Sequence, residues 1–347
     1  MAADQASGRK PATPTMADVA RLARVSTMTV SRALRDGASI APDTRKRIIQ
    51  AIEELGYVLD QSAGSLSSKR TDFVAALIPS INNSNFADTA RGLTDAIAGT
   101  GLQLLLGYTD YSVGKEEELI EAMLRRRPEG IIVTGGSHTP RARRLLEQAG
   151  IPVIETWDLP KSPVRHVVGF SNAEASAALV KYLHAKGYRK IAFIGGTTSR
   201  DTRGADRRAG YEAAMAELGL PDSRVISFGT PPISMKQGGE AVARLVEQWP
   251  EVEAAICVSD LSAFGAVMEC QRRGWLVPKR IAIAGFGDFE IASCCYPSIT
   301  TVGVHCHEIG SRAGELLLRA IERARTGKSI PAETVITQIQ VIPRESA

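Results

Sequence analysis

Short apolar runs alternate with amphipathic stretches along most of the chain. From Phe73 onward, apolar and β-branched runs lie at 73–78, 103–107, 130–134, 153–155, 167–169, 191–194, 225–228, 254–258 and 281–285. Between them, residues with a helical period lie at 86–99, 116–126, 142–150, 174–186, 206–218, 238–249, 262–273 and 306–326. Strands that alternate with helices in this way form parallel sheets covered by helices. The pattern therefore predicts an α/β fold with two parallel-sheet lobes in sequence.

The first 57 residues have a different pattern, with the helical period in three short stretches. Thr15 can cap a first helix, and Asp18 can complete a capping box. Ser26 offers a second N-cap after a short break. A third helix starts near Pro42 and ends at Gly56. Two helices joined by so short a turn predict a helix-turn-helix, whose second helix enters the major groove of DNA.

The charge distribution supports this interpretation. Residues 1–70 carry 11 Lys/Arg and 7 Asp/Glu, whereas the remaining residues carry 31 of each kind. The whole net charge of +4 therefore lies at the N-terminal end. A basic head on a neutral body suits nucleic-acid binding, although so small an excess also arises by chance.

Several side chains of this head are candidates for contact with DNA. Thr27 and Met28, at the start of the second helix, face base edges in such a docking. Thr29, Ser31 and Arg32 can reach bases or phosphates, and Arg45 is a phosphate contact. The predicted set is completed by Thr15, Ser26, Tyr57 and Leu66. The alternative is a plain helical bundle with solvated arginines.

Motifs along the head resemble those of the LacI/GalR repressor family. The matching residues, in order and spacing, are Thr15–Ala20, Val25-Ser26, Thr29–Leu34, Thr44-Arg45 and Glu54–Tyr57. Ala41 departs from the pattern, because the family usually has a capping Ser or Thr there. The resemblance implies a polar hinge that becomes helical on operator DNA, with Leu66 wedged into the minor groove.

The rest of the chain is similar to the periplasmic-binding-protein-like core of the same family. We therefore expect a disordered tail at 1–14, the head at 15–59, the hinge at 60–70 and an effector-binding and dimerisation domain at 71–344. The first lobe is expected at about 71–170 and 300–330, and the second at about 171–298 and 331–344. The resemblance implies three crossings between the lobes, near Phe170, Ser298 and Ile330, with ligand in the cleft at the carboxyl ends of the strands.

Arg207 matches the effector-binding arginine of the family. The alternative interpretation is an arginine on the surface of a helix. A guanidinium in a cleft binds a carboxylate or vicinal hydroxyls with fixed geometry. Trp157 is interpreted as a stacking surface for a sugar or as a packed aromatic. Gly287 stands where sugar-binding relatives often have Asp, and this departure disfavours a neutral hexose. The predicted effector-binding residues are Ser80, Phe86, His138, Arg141, Glu155, Trp157, Phe170, Arg207, Ser259, Asp260 and Gly287.

Within the family, the motifs look most like those of gluconate-utilisation repressors. They include Ser137–Arg141, Lys161–Pro163 and Glu269–Arg272. The match implies gluconate, a ketogluconate or a phosphogluconate as effector, and makes His138 and Arg141 candidates for anion binding unless they lie in a solvated loop. A neutral sugar or a nucleobase is the alternative effector. Whether the effector induces or co-represses, and which genes are controlled, stays open.

Other classes of protein are disfavoured by what the sequence lacks. The five cysteines show no zinc spacing, and the pair Cys294-Cys295 is a weak redox candidate beside the interpretation as reduced thiols. No nucleotide-binding or nucleophile motif is found, so we expect no enzyme, no cofactor and no metal. The lack of a signal peptide disfavours a periplasmic sugar-binding protein. We expect a cytoplasmic homodimer that binds palindromic operator DNA and no membrane.

Overall fold

The computed structural model describes residues 13–34, 40–58, 71–196, 201–221 and 223–347. The chain divides into two compact units, Met1–Thr71 and Asp72–Ala347. Most of the expected tail and the whole of the expected hinge, with Leu66, lie outside the described residues.

The N-terminal unit contains the three helices that the sequence predicts. They are α1 (Met16–Ala23), α2 (Thr27–Ala33) and α3 (Pro42–Leu55). Thr15 and Asp18 form the predicted capping box, and Ser26 Oγ accepts from Thr29 N at 3.2 Å. Ala41 makes no capping hydrogen bond, because its methyl side chain has no acceptor. A small apolar core joins the helices through Val19, Ala20, Ala23, Val30, Ala33, Ile48 and Ala51.

The first lobe of the large unit is built on a six-stranded parallel sheet. Its strands are β1 (Phe73–Ile78), β2 (Gln103–Tyr108), β3 (Ile131–Thr134), β4 (Val153–Thr156), β5 (His166–Gly169) and β11 (Thr334–Ile336), in the order β11-β5-β4-β3-β1-β2. Alternate residues of β1 enter different apolar clusters, with Val74 and Ala76 on one face and Ala75 and Leu77 on the other. Burial on both faces explains why the central strands are nearly continuous in hydrophobicity.

The second lobe has a four-stranded parallel sheet in the order β7-β6-β8-β9. Its strands are β6 (Ile191–Gly195), β7 (Arg224–Ser227), β8 (Ala254–Cys257) and β9 (Ala282–Ala284). Helices cover both sheets, and the apolar cluster around Phe170, Phe193 and Phe286 continues from one lobe into the other. The helices are α4 (Ser84–Ile97), α5 (Val113–Arg125), α6 (Pro140–Glu147), α7 (Asn172–Ala185), α8 (Thr202–Glu217), α9 (Met235–Gln248), α10 (Asp260–Arg272), α11 (Glu290–Cys294) and α12 (Cys306–Arg325).

Two of the crossings between the lobes pair with each other. Strands β10 (Thr301–Gly303) and β12 (Gln340–Ile342) form an antiparallel ladder beside the end of β9, where Ala284 bridges Thr300. Such three-residue strands carry too little periodicity to be predicted from sequence.

The third crossing lies later than the sequence predicts. β11 pairs with β5 from Thr334 to Ile336, and Thr337 N still donates to Gly169 O. Residues 331–337 therefore belong to the first lobe, and the chain crosses between Thr337 and Gln340 instead of near Ile330. The reason is the pairing itself, because β11 fills the free edge of β5 before the chain leaves the first sheet.

Candidate functional site

A narrow cleft opens between the lobes at the carboxyl ends of the strands. Parallel sheets place loop residues at this edge, and ligands of such folds bind there. Both lobes contribute side chains, with aromatic rings on the walls and two arginines from the start of α8. The cleft is lined by Asn83, Asn85, Phe86, Tyr111, Trp157, Asp201, Arg203, Arg207, Pro232, Ile233, Val258, Ser259, Leu261, Phe286 and Phe289.

Arg207 lies in this lining, as the sequence predicts, and its guanidinium is held on three sides. Nε donates to Asn172 Oδ1 at 2.9 Å, and Nη1 donates to Val258 O at 2.8 Å. The guanidinium carbon lies 3.6 Å from the centre of the Phe286 ring. Burial lowers the pKa of Arg207 to about 10, so the group remains charged at neutral pH. A fixed, poorly hydrated cation of this kind favours an anionic ligand.

Arg203 is a second cleft arginine, one helical turn before Arg207. It is buried, and within the described part of the chain its Nη1 atom has no hydrogen-bond partner. Its guanidinium lies over the rings of Phe86 and Tyr111, at 5.5 Å and 5.7 Å. Burial also raises the pKa of Tyr111, which remains a neutral hydroxyl. A buried donor without a protein acceptor is unfavourable unless a ligand or water satisfies it.

The aromatic wall combines three of the predicted residues. Trp157 has a φ of +70° and lies 4.8 Å from Phe86 and 5.9 Å from Phe170, measured between ring centres. Phe170 continues to Phe286 at 6.0 Å, although it does not line the cleft itself. The indole of Trp157 donates to Thr89 Oγ1, so its position is fixed by a hydrogen bond as well as by packing.

Three further predicted residues shape the end of the cleft in the second lobe. Ser259 lines the cleft and caps α10. Asp260 lies behind it, fully buried, and accepts from Thr301 Oγ1 at 2.6 Å and Phe289 N at 2.8 Å. Burial raises the pKa of Asp260 to about 7 against these two hydrogen bonds. Asp260 therefore holds the cleft wall and the second crossing in place.

Gly287 has a φ of +119°, and a Cβ atom there would lie 2.4 Å from Asn85 Nδ2. The same Asn85 Nδ2 donates to Gly287 O at 2.9 Å across the two lobes. A side chain at this position would strain the backbone and would have to displace the side chains of Asn85 and Phe289. Gly287 instead takes part in a contact between the lobes.

Seven predicted effector-binding residues lie outside the cleft lining. Besides Phe170, Asp260 and Gly287, they are Ser80, His138, Arg141 and Glu155. His138 is enclosed in the first lobe, with Nδ1 at 2.6 Å from Glu116 Oε1 and Nε2 at 3.3 Å from Glu155 Oε1. Arg141 lies on the surface of α6 and pairs with Glu117 and Glu121. Ser80 Oγ accepts from Asn82 N in the loop after β1. The structure therefore does not bring these residues to Arg207.

Burial alone would lower the pKa of His138, but its hydrogen bonds to Glu116 and Glu155 outweigh this effect and raise the pKa to about 9. The charge of His138 is consequently already satisfied by the protein. Glu155 also accepts from Val164 N at 2.6 Å, which fixes the loop between β4 and β5. The arrangement ties three segments of the first lobe together.

The sequence did not single out several residues of the cleft. Arg203 was missed because α8 begins four residues earlier than its apolar period suggests, yet the spacing of four before Arg207 is the signal that places both on one helix face. Asn83 and Asn85 follow the first strand as Phe86 does. The other missed lining residues are Tyr111, Asp201, Pro232, Ile233, Val258, Leu261, Phe286 and Phe289.

In the N-terminal unit, the start of α2 presents its side chains to solvent. Met28 is 71% exposed, and Thr27 and Arg32 are exposed as well. Thr29 and Ser31 are partly exposed on the same helix. An exposed Met at a helix N-terminus has no packing role, so this face is available for base contacts.

The remaining predicted DNA-binding residues also stabilise the head. Thr15 and Ser26 cap helices, and Tyr57 packs against the apolar core. Arg45 Nη1 donates to Ala33 O at 2.9 Å, at the end of α2. Ser26 and Arg45 therefore hold the two ends of α2, while Thr15 and Tyr57 stabilise the rest of the head, and a DNA contact would be an additional role.

A helix-turn-helix head followed by a two-lobed core with a cleft between its lobes is the architecture of a DNA-binding transcriptional regulator with a small-molecule sensor. Residues 15–60 match the family described as bacterial regulatory proteins, lacI family, and residues 180–347 match the periplasmic binding protein-like domain. The chain belongs to the LacI family of transcriptional regulators. The predictions of family and fold are confirmed, and the family and its relatives are regulators and not enzymes.

Full-length relatives agree with this assignment. The chain is 35% identical to the HTH-type transcriptional regulator GntR of Pseudomonas aeruginosa, over 96% of this chain and 95% of that protein. It is also 35% identical to GntR of Escherichia coli K12, over 89% of this chain and 92% of the relative. A LacI-family regulator from Silicibacter pomeroyi superposes with a TM-score of 0.86 at 32% identity, covering 96% and 99% of the two chains. Within the described ranges, none of the helices has the length and apolarity needed to cross a bilayer.

Proposed function

We propose that this regulator is a cytoplasmic, homodimeric repressor whose affinity for palindromic operator DNA changes when an acidic sugar binds between the lobes. The observation that carries the proposal is the buried arginine pair, in which Arg203 Nη1 lacks a partner and Arg207 is desolvated. A carboxylate supplies the acceptor that Arg203 Nη1 lacks and a charge that complements Arg207.

The other lining groups suit the remainder of such a ligand. Asn83, Asn85, Asp201 and Ser259 offer donors and acceptors for hydroxyl groups, while the rings of Phe86 and Trp157 provide apolar faces. The resemblance to gluconate-utilisation repressors supports gluconate, a ketogluconate or a phosphogluconate. Binding would favour one arrangement of the lobes and thereby shift the population of DNA-binding dimers.

The test is fluorescence anisotropy of a palindromic operator at two salt concentrations, with each of the three acids, a neutral hexose and a purine. We expect tight, salt-sensitive binding that one of the acids changes. R207Q should weaken the response to this acid at least about 30-fold in concentration, because buried charge-assisted hydrogen bonds are lost. R208Q is the matched control, since Arg208 lies on the same helix and pairs with Glu212.

A response to the hexose or the purine alone would overturn the sugar-acid effector and leave the regulator. An equal loss of the response to the acid in R207Q and R208Q would exclude Arg207 as the anion-binding group.

A further inference from the structure

Asn172 occupies the first position of α7, directly after the first crossing between the lobes. Its side chain is 1% exposed and uses both ends of the amide. Oδ1 accepts from Arg207 Nε at 2.9 Å, and Nδ2 donates to Trp157 O at 3.0 Å. These two partners fix the orientation of the amide, because Arg207 can only donate and the carbonyl can only accept. Asn172 therefore connects the cleft arginine of the second lobe to the backbone of the first.

The connection continues through the side chain of Trp157. Its Nε1 donates to Thr89 Oγ1 at 3.1 Å, on helix α4. The Thr89 hydroxyl in turn lies 3.1 Å from Cys306 O, at the first residue of α12, and 2.9 Å from Asn85 O. Thr89 is 2% exposed and does not line the cleft. Helices α4 and α12 pack closely on one another, since Gly92 and Gly310 bring their backbones into contact.

We propose that Asn172 and Trp157 form a hydrogen-bonded relay, which carries the state of Arg207 to helices α4 and α12 of the first lobe. The inference rests on the proposed function, because it takes the cleft as the effector site. An anion that draws Arg207 toward the cleft changes its bond to Asn172. The amide then moves with the Trp157 backbone, and the indole moves with Thr89. Asn172 and Thr89 are thus positioning residues that do not touch the effector.

A relay of this kind is established only by a measured coupling between its ends. T89V removes the hydroxyl at the far end while keeping the volume of the side chain. T94V is the matched control, because Thr94 is on the same helix and, among the described residues, its hydroxyl donates to Ala90 O alone, at 2.8 Å. T89S keeps the hydroxyl and serves as the rescue variant. The quantity measured is the ratio of operator affinities with and without the active sugar acid.

We expect T89V to bind the acid as wild type does, with a ratio reduced at least about threefold. T94V and T89S should keep the wild-type ratio. Equal ratios in T89V and T94V would overturn the relay while leaving the proposed function intact.

A second measurement does not require an effector. The chain has three tryptophans, so the indole signals in a nitrogen-15 NMR spectrum separate Trp157 from Trp249 and Trp275. R207K should move the Trp157 signal in the otherwise unchanged protein and leave it in place when N172A is also present. If no acid changes operator binding, the proposed function is wrong, and the Trp157 signal alone then tests the relay. A Trp157 signal that responds equally in both backgrounds contradicts the relay.

Discussion

His138 in the first lobe and Arg203 in the cleft are both cations removed from water, and they differ in their counter-ions. His138 lies between Glu116 and Glu155, whose side chains are 8% and 0% exposed. Arg203 has aromatic rings on two sides and an Nη1 atom without a partner in the described part of the chain. A buried cation that the protein already neutralises contributes to structure, whereas one left short of acceptors is ready for a ligand.

The largest expected effect on stability comes from removing His138, the buried cation that the protein already neutralises. H138A leaves Glu116 and Glu155 close together without a cation, and breaking a buried ion pair in this way destabilises by about 3–5 kcal/mol. The free energy of unfolding, measured with urea, should fall by that amount. H166A is the control, because His166 is buried in the same lobe and, within the described ranges, its ring accepts one hydrogen bond, from Glu333 N at 3.2 Å.

A smaller loss of unfolding free energy in H138A than in H166A would contradict the interpretation of His138 as a structural cation. The carboxylates would then be compensated by groups other than the imidazole.

The second prediction concerns pH and has a definite sign. The pKa of His138 is raised from 6.5 to about 9, so its contribution is complete below pH 6.5 and disappears as the pH rises through about 9. A shift of this size corresponds to roughly 3 kcal/mol. Burial lowers the pKa of His166 instead, so its contribution disappears as the pH falls below 6.5. Urea midpoints measured from pH 5 to 10 should fall at both ends.

The alkaline decline should be absent in H138A. If the decline persists there, another group is responsible for it.

Much of the architecture could be predicted from sequence, and the reason lies in its periodicity. β1 and β8 are apolar runs bounded by polar residues, and Thr15 and Ser26 mark helix starts by their hydroxyls. Phe86, Trp157 and Ser259 were predicted in the cleft from their positions after strands, and Arg207 from its match to the effector-binding arginine of the family. Periodicity cannot show which polar side chains satisfy each other. His138 follows β3, and Glu155 lies within β4, 17 residues later, so only the folded structure reveals that they pair.

The third prediction concerns Arg203 in the cleft, where removing the cation should not destabilise the protein as removing His138 does. R203M removes a buried charge with an unsatisfied donor and keeps an unbranched apolar chain against Phe86. Replacing such a group by an apolar side chain is neutral or stabilising, here by up to about 1 kcal/mol. The same change should weaken the response to the sugar acid. Urea denaturation and operator anisotropy on one preparation measure both quantities.

Destabilisation without loss of the response would show that Arg203 is structural, and would place it with His138 in the comparison.

The smallest effect on stability is expected from a substitution of Arg141. This variant tests whether Arg141 makes only exposed ion pairs or also binds the effector. Arg141 is 47% exposed and contacts Glu117 Oε1 at 3.0 Å and Glu121 Oε2 at 2.6 Å. Exposed pairs contribute little because water and salt screen them. R141Q should therefore leave the urea midpoint within error, and the operator response to the acid should equal that of wild type. A weakened response would move the anion site from the arginines of α8 to α6, since no stability change could account for it.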